Sequence, residues 1–432
     1  MCSASPRTLV GVTSPSADAP PGRLVARTVE VTPASLPGSL IDLLPATEPM
    51  AWLRRGEGIA AWGVAAVCRT EGADRFTEAA DWWRTVTEAA VVRDEVEQPG
   101  SGLVCMASFA FADDPGDSVL VVPQVVVGTR GGRSWITVID QDELAPIPSL
   151  EVSPAAPAPR NIVFADGAMS GAAWESVVAD AVRRIGDGEL EKVVLARDLV
   201  ATADAAVDVR WPLRRLAEDY AMCWTFHVDG LFGATPELLV RRERGLVTSR
   251  DLAGTIRRTG DDERDAGLAG QLARSSKDLE EHEYAVRSVA ESLAPYCSST
   301  NVPEVPFVLH LPNVMHLATD VTGVVQDSDG ASVLDLAAAL HPSAAVGGTP
   351  TKVAVELITE IEGMGRGRYA GPVGWIDAAG DGEFGIALRS AELHGRTVRL
   401  FAGCGIVADS DPEAELAEAQ AKFLPVRDAL TE

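Results

Sequence analysis

Three strand-like segments, MCWTFHVDG (222–230), LFGATPELLVRR (231–242) and GLVTSR (245–250), follow one another with hairpin-length gaps. A parallel pair needs a crossover of a dozen residues or more, so gaps this short demand antiparallel pairing. The Asp229-Gly230 pair between the first two is a tight-turn signal, because both residue types tolerate the left-handed backbone. More strand-like runs occur at LVCMASFAF, SVLVVPQVVVG, SWITVID, EKVVLARDLV, GPVGWIDAAG, GEFGIALRSAELHG and TVRLFAGCGIV. SVLVVPQVVVG is a near-continuous β-branched run, as expected of a single strand covered on both faces.

Helical patterns interrupt these strands. TEAADWWRTVTEAAVV precedes the first group, and further helices are expected around 276–295, 331–340 and 350–362, with a last one from 412. Trp174, Val177, Val178, Ala181 and Ile185 mark one apolar helix face, and Gly186 stands where that helix should stop. The predicted fold class is therefore α+β, a large mixed or antiparallel sheet system flanked by helices. QDELAPIPSLEVSPAAPAPR carries five prolines between Pro146 and Pro159, too many for a helix or central strand. The expected organisation is a flexible lead-in (1–22), an N-terminal α+β subdomain (23–145), a Pro-rich linker or crossing (146–160) and a main region (161–432).

The 432 residues carry a formal charge of −26. Nucleic-acid phosphates and anionic lipids both require clustered Lys/Arg, so neither is an expected partner. No apolar stretch approaches a membrane span, and the first residues lack a secretion signal. Six cysteines without a CxxC pair read as reduced thiols, and the expected location is cytoplasmic.

Few local patterns carry chemistry by themselves. In SDPEAELAEAQAKF, Asp411 suits an N-cap and Pro412 a first helical turn. Glu415, Glu418 and Lys422 then share a face, which is either a solvated acidic face or half of a metal site. In SSKDLEEHEYAVRSVAESL, Asp278, Glu281 and His282 crowd the first turns, while Val286, Val289, Ala290 and Leu293 mark the buried side. Carboxylates from two helices would suit Mg²⁺, which takes hard oxygen ligands. Zinc fits less well, since adjacent Glu281 and His282 cannot both face one ion as HExxH allows. Lys192 at a strand start could simply reach water, or could be a desolvated general base. Glu237, after Pro236, could be an edge carboxylate or a general acid with a raised pKa. GMGRGRYAG follows a helix-like segment, so it reads as a flexible turn and not a dinucleotide fingerprint. GxxxxGK[ST], GxSxG and HExxH are all absent. His316 and His341 stand in apolar company, the usual setting of satisfied core histidines.

Taken together and in order, ten blocks resemble the chorismate-utilising enzyme family. They are KVVLAR, TPELLV, LAGTIRR, SSKDLEEH, HLATDVTG, HPSAAVGGTP, YAGPVGW, IALRSAEL, RLFAGCGIV and DPEAELAEAQAKF. They cover residues 160–430, and the part before the prolines is only weakly similar. The resemblance implies a large chorismate-binding fold with sheets packed in a sandwich. A lysine at Lys192, where ammonia-using members carry glutamine, implies a water-using enzyme. Ala345, where salicylate and anthranilate synthases tend to have threonine, implies the isochorismate synthase branch. Salicylate synthase, an ammonia-using enzyme and a non-catalytic chorismate binder are the alternatives.

The implied reaction adds water at C2 of chorismate and expels the C4 hydroxyl, with Lys192 as general base and Glu237 as general acid. Glu281 and Glu418 would bind Mg²⁺, with Glu415 and Asp278 holding its waters. Tyr369, Arg389 and the backbone of Gly403 would hold the enolpyruvyl carboxylate. Gly254, Thr255, His316 and Ala345 would line the ring, and Lys422 would pair with the acidic cluster or the ring carboxylate. The product would feed menaquinone or siderophore biosynthesis, with no glutaminase subunit and a monomeric enzyme expected. Ala419, Cys404 and Ser343 depart from the residues common in relatives. A dianionic substrate is ill served by a −26 chain, so Mg²⁺, Lys192, Arg389 and Lys422 must outweigh a repulsion that salt screens beyond roughly 8 Å.

Overall fold

The computed structural model describes residues 22–431, apart from 313 and 327–329 and the side chains at 253, 277, 278, 280 and 281. Nearly all of the expected lead-in therefore lies outside the described residues. Two large sheets, of thirteen and ten described strands, dominate the chain. Their facing surfaces meet over Trp52, Ile59, Trp224 and Phe226 from the first sheet and Met106, Val121, Val373 and Trp375 from the second. Burying this apolar surface at about 25 cal/mol per Å² is what holds a sandwich together. Helices cover the outer faces. Arg210–Asp219 and Pro412–Leu430 pack on the first sheet, and Arg75–Ala89, Ser276–Leu293 and Val333–Leu340 on the second. This is the expected α+β sandwich flanked by helices.

The Pro-rich stretch does not divide the sheets. Each sheet takes strands from before and after it, with Pro49–Arg54 pairing to Trp224–Val228 and Val104–Ser108 to Pro372–Asp377. The stretch itself runs without regular structure along the surface. Ile147 and Leu150 pack on the core there, and the Ser153 N–H donates to the Asp42 carbonyl at 2.8 Å.

Three segments expected to be single strands are each two strands in different sheets. SVLVVPQVVVG breaks into Ser118–Val122 and Val125–Arg130 around Pro123. LFGATPELLVRR breaks into Leu231–Thr235 and Leu238–Glu243 at Pro236-Glu237. GEFGIALRSAELHG breaks into Gly382–Ile386 and Ser390–His394, with Arg389 at φ 49°. Proline has no N–H for a ladder, and a left-handed residue turns the chain, so each break is a corner leading from one sheet to the other. The expected Asp229-Gly230 turn is present, with φ 47° and 85°. Two helices that the pattern reading did not anticipate are Arg210–Asp219 and Asp262–Leu272.

Candidate active site

The second and third corners lie side by side. Leu231–Thr235 pairs antiparallel with Ser390–His394 in the first sheet, and Leu238–Glu243 with Gly382–Ile386 in the second. Both strands of the pair thus change sheets together, placing Glu237 and Arg389 at adjacent turns. Backbone bonds pin the turns. The Ile386 N–H donates to the Glu237 carbonyl at 3.3 Å, and the Ala234 N–H to the Arg389 carbonyl at 3.2 Å. Close approach explains Gly233, where a Cβ would lie 2.6 Å from the Arg389 carbonyl oxygen.

A cavity of about 400 Å³ opens at these corners. Lys192, Glu237, Gly254, Thr255, His316, Ala345, Tyr369, Arg389, Gly403, Glu415, Glu418 and Lys422 all line it. They come from nine separate stretches of chain, so only the fold brings them together. Asp278 and Glu281 fall on the helix Ser276–Leu293, but their side chains lie outside the described residues.

One wall is the strand Lys192–Thr202, paired with Thr397–Ile406 so that Ala196 stands opposite Gly403. Lys192 is half-buried at its start. A second wall is the antiparallel pair of Leu246–Arg257 with Val314–Val325. Its register slips between Ala253 and Thr255, where Gly254 takes φ 66°. Such a bulge re-aims the following side chain. Thr255 Oγ1 consequently lies 3.1 Å from His316 Nδ1, which is also 3.3 Å from the Gly254 carbonyl. His316 Nε2 is buried and has no hydrogen-bond partner among the described residues, and burial lowers the imidazole pKa to about 3, so the ring is neutral. His341 behaves as the satisfied core histidine expected, with Nε2 2.9 Å from the Phe111 carbonyl.

The third wall is the helix Pro412–Leu430. Asp411 caps it, accepting from the Ala414 N–H at 2.9 Å, as the sequence led one to expect. Lys422 Nζ donates to the Gly403 carbonyl at 2.9 Å and pairs with Glu418 at 2.7 Å. Burial opposes the charge on Glu418, but Lys422 and Arg389 hold its carboxyl below the usual range. Ser410 Oγ donates to Glu415 Oε1 at 2.8 Å. Oxygens of Glu415 and Glu418 and the sulfur of Cys404 lie within 4.8 Å of one another. Burial pushes the Cys404 thiol up to about 12, leaving the carboxylates as the anionic donors.

Glu237 is 5% exposed, and burial raises its carboxyl to about 8, reinforced by Asp251 and opposed by Arg389, Lys192 and Lys422. A carboxylic acid that stays protonated near neutral pH can donate a proton. Tyr369 is buried, stacked on Phe401 at 4.9 Å, and burial raises its hydroxyl. Sequence reasoning missed Asp251, which is buried near Glu237, and Arg366, which lines the cavity from the glycine-rich segment. The five described cysteines are all free thiols, and no described helix is long and apolar enough to cross a membrane.

Residues 46–431 match the family described as chorismate binding enzyme. Isochorismate synthase MenF of Bacillus subtilis is 39% identical over 261 residues, which is 60% of this chain and 55% of that protein. Isochorismate synthase DhbC of the same organism is 41% identical over 261 residues, 58% of this chain and 65% of that protein. The chain thus spans little more than half to under two thirds of these relatives' lengths. The crystal structure of DhbC from Bacillus anthracis superposes with a TM-score of 0.75 at 32% identity. That match covers 90% of this chain and 98% of the other.

Proposed function

This chain belongs to the chorismate binding enzyme family, and from that premise we propose that it is an isochorismate synthase. Water would add at C2 of chorismate and the C4 hydroxyl would leave. The observation that carries the reading is Glu237, a carboxyl that burial keeps protonated near neutral pH in the same cavity as the amine of Lys192.

Each role answers a chemical need. Water is a poor nucleophile, so Lys192 takes its proton as the oxygen bonds to C2. Hydroxide is a poor leaving group, so Glu237 donates its proton to the C4 oxygen, which departs as water while both ring double bonds shift. One water enters and one leaves, so substrate and product are isomers. General acid and general base catalysis each contribute about 10²–10⁴-fold. Arg389 is the counter-charge for the enolpyruvyl carboxylate, with the Tyr369 hydroxyl beside it. Neutral His316 and Thr255 border the ring, and Ala345 leaves room where a larger side chain would intrude.

The described donors fit a hard divalent cation, since Glu415 and Glu418 place carboxylate oxygens within 4.8 Å of each other at the cavity. They would hold Mg²⁺, joined by Glu281 and Asp278. When bound, the ion supplies positive charge for the ring carboxylate of the substrate. Lys422, fixed between Glu418 and the Gly403 carbonyl, orients the acidic wall.

The test is purified protein with chorismate and Mg²⁺, with and without ammonium, followed by liquid chromatography and a pyruvate assay. A mixture of chorismate and isochorismate without pyruvate is the expected result. Salicylate with pyruvate, an amino product only with ammonium, or binding without turnover would each replace this reading with another.

A further inference from the structure

The segment GMGRGRYAG carries a side chain that the reaction above leaves unused. Arg366 is 4% exposed and borders the cavity, yet its guanidinium is committed elsewhere. Nη2 donates to the Val194 carbonyl at 2.7 Å and Nη1 to the Val346 carbonyl at 2.9 Å. Nε donates to Glu362 Oε2 at 2.9 Å, and Nη2 also bonds Glu362 Oε1. The guanidinium lies over Phe111, 4.2 Å from the ring centre. Glu362 Oε1 in turn accepts the Ala196 N–H at 2.7 Å.

The bonds to the Val194 carbonyl and from the Ala196 N–H fall on one edge of the strand that begins at Lys192. Its other edge is paired with Thr397–Ile406 from Val193 to Thr202. On the first edge, Gly348–Thr349 pairs only with Val193 and Lys192, and Val163–Asp166 pairs only from Leu199 onward. In the gap, the Val194 N–H still reaches the Gly347 carbonyl at 2.9 Å. Farther along, the Asp198 carbonyl accepts the Gly167 N–H at 3.1 Å, and at Val194 and Ala196 the outward groups left are the Val194 carbonyl and both backbone groups of Ala196. Arg366 takes the first, Glu362 the second, and Trp174 Nε1 the third at 3.0 Å. Side chains therefore stand where a neighbouring strand would be. A buried backbone group left unpaired loses its bonds to water and gains none in return, which is why the gap is filled.

We propose that Arg366, braced by Glu362, is a positioning residue that fixes Lys192 relative to the other cavity walls. Its three attachments reach three of the segments that line the cavity. Val194 is two residues from Lys192, Val346 follows Ala345, and the Arg366 carbonyl accepts the Tyr369 N–H at 3.0 Å. A planar fork can bond two diverging carbonyls and a carboxylate at once, which a single ammonium cannot. The proposal rests on the reading of Lys192 as the base. A displacement of about 1 Å in a reacting group can cost about 10²-fold in rate.

The experiment compares Arg366→Lys and Glu362→Gln with wild type, measuring kcat, KM and melting temperature. Arg366→Lys keeps a cation beside Glu362 but leaves a backbone carbonyl short of a donor, and Glu362→Gln keeps an acceptor for the Ala196 N–H but takes the anion from the buried guanidinium, so the melting temperature separates lost stability from lost positioning. The expected result is a fall in kcat of about 10²-fold for Arg366→Lys and at least about tenfold for Glu362→Gln. KM should change by less than about threefold, because Arg366 does not hold the substrate. A folded variant with kcat within about threefold of wild type overturns the proposal, as does a loss confined to KM. Should Arg366→Lys fail to fold, Glu362→Gln decides by the same criteria. A wild type inert towards chorismate overturns the functional reading and this role together, whereas an active wild type with unaffected variants overturns this role alone.

Discussion

Glu237 and Arg389 stand at adjacent corners where two paired strands leave one sheet for the other. Corners interrupt a ladder, so side chains there project into the space between elements instead of packing on a sheet face. The acid and the counter-charge of the proposed reaction share one structural origin.

The first prediction concerns pH. Burial raises the Glu237 carboxyl to about 8, so it is protonated below that pH and loses its proton above it. An acid works only while protonated, so kcat should fall on the alkaline side with a midpoint near 8. Glu237→Gln should lower kcat by about 10²–10⁴-fold and remove that midpoint. His316, held neutral by a pKa of about 3, should contribute no inflection between pH 5 and 8. A flat profile from pH 7 to 9.5 would dismiss Glu237 as the acid.

Lys192→Ala should abolish hydration to a similar extent while the protein stays folded. The side chain is only half-buried at a strand start, so its loss leaves little cavity. Melting temperature and chorismate binding should remain close to wild type. Retained turnover in this variant would falsify its role as base.

The acidic wall gives a metal prediction. Glu418→Ala removes one carboxylate of the proposed Mg²⁺ site and the 2.7 Å partner of Lys422. The Mg²⁺ concentration giving half-maximal activity should rise at least about tenfold, and KM for chorismate should rise with it. Direct titration calorimetry with Mg²⁺ provides a readout independent of turnover. An unchanged binding isotherm would remove Glu418 from the site.

The sequence was readable where one element used one pattern. The helix Gly171–Gly186 buries Trp174, Val178, Ala181 and Ile185 on the expected stripe, and Asp411 caps the last helix. Strand existence was also legible. Strand ends were not, because apolar alternation continues through a corner when both sheets present buried faces. Pro123 and Pro236 marked two of the three corners, but Arg389 in the left-handed region gave no sequence signal. Arg210–Asp219 was hidden by its charges and internal proline, and Asp262–Leu272 by its two glycines. Local spacing left Lys192, Glu237 and Glu418 looking like surface charge, since only the assembled fold puts them around one cavity. Arg366 was obscured by the glycines around it.

The corners themselves can be tested through Gly233. A Cβ there would sit 2.6 Å from the Arg389 carbonyl oxygen and 2.8 Å from the Ser390 Cα, both backbone atoms that cannot swing aside. Gly233→Ala must therefore push the strand Ser390–His394 away from Leu231–Thr235, shifting Arg389 with it. Overpacking of this kind costs about 1–3 kcal/mol, read as a lower midpoint in urea unfolding. Because Arg389 is the proposed holder of the enolpyruvyl carboxylate, KM for chorismate should rise more than kcat falls. A destabilised variant with unchanged KM would mean that the corner supports the fold without setting the position of Arg389.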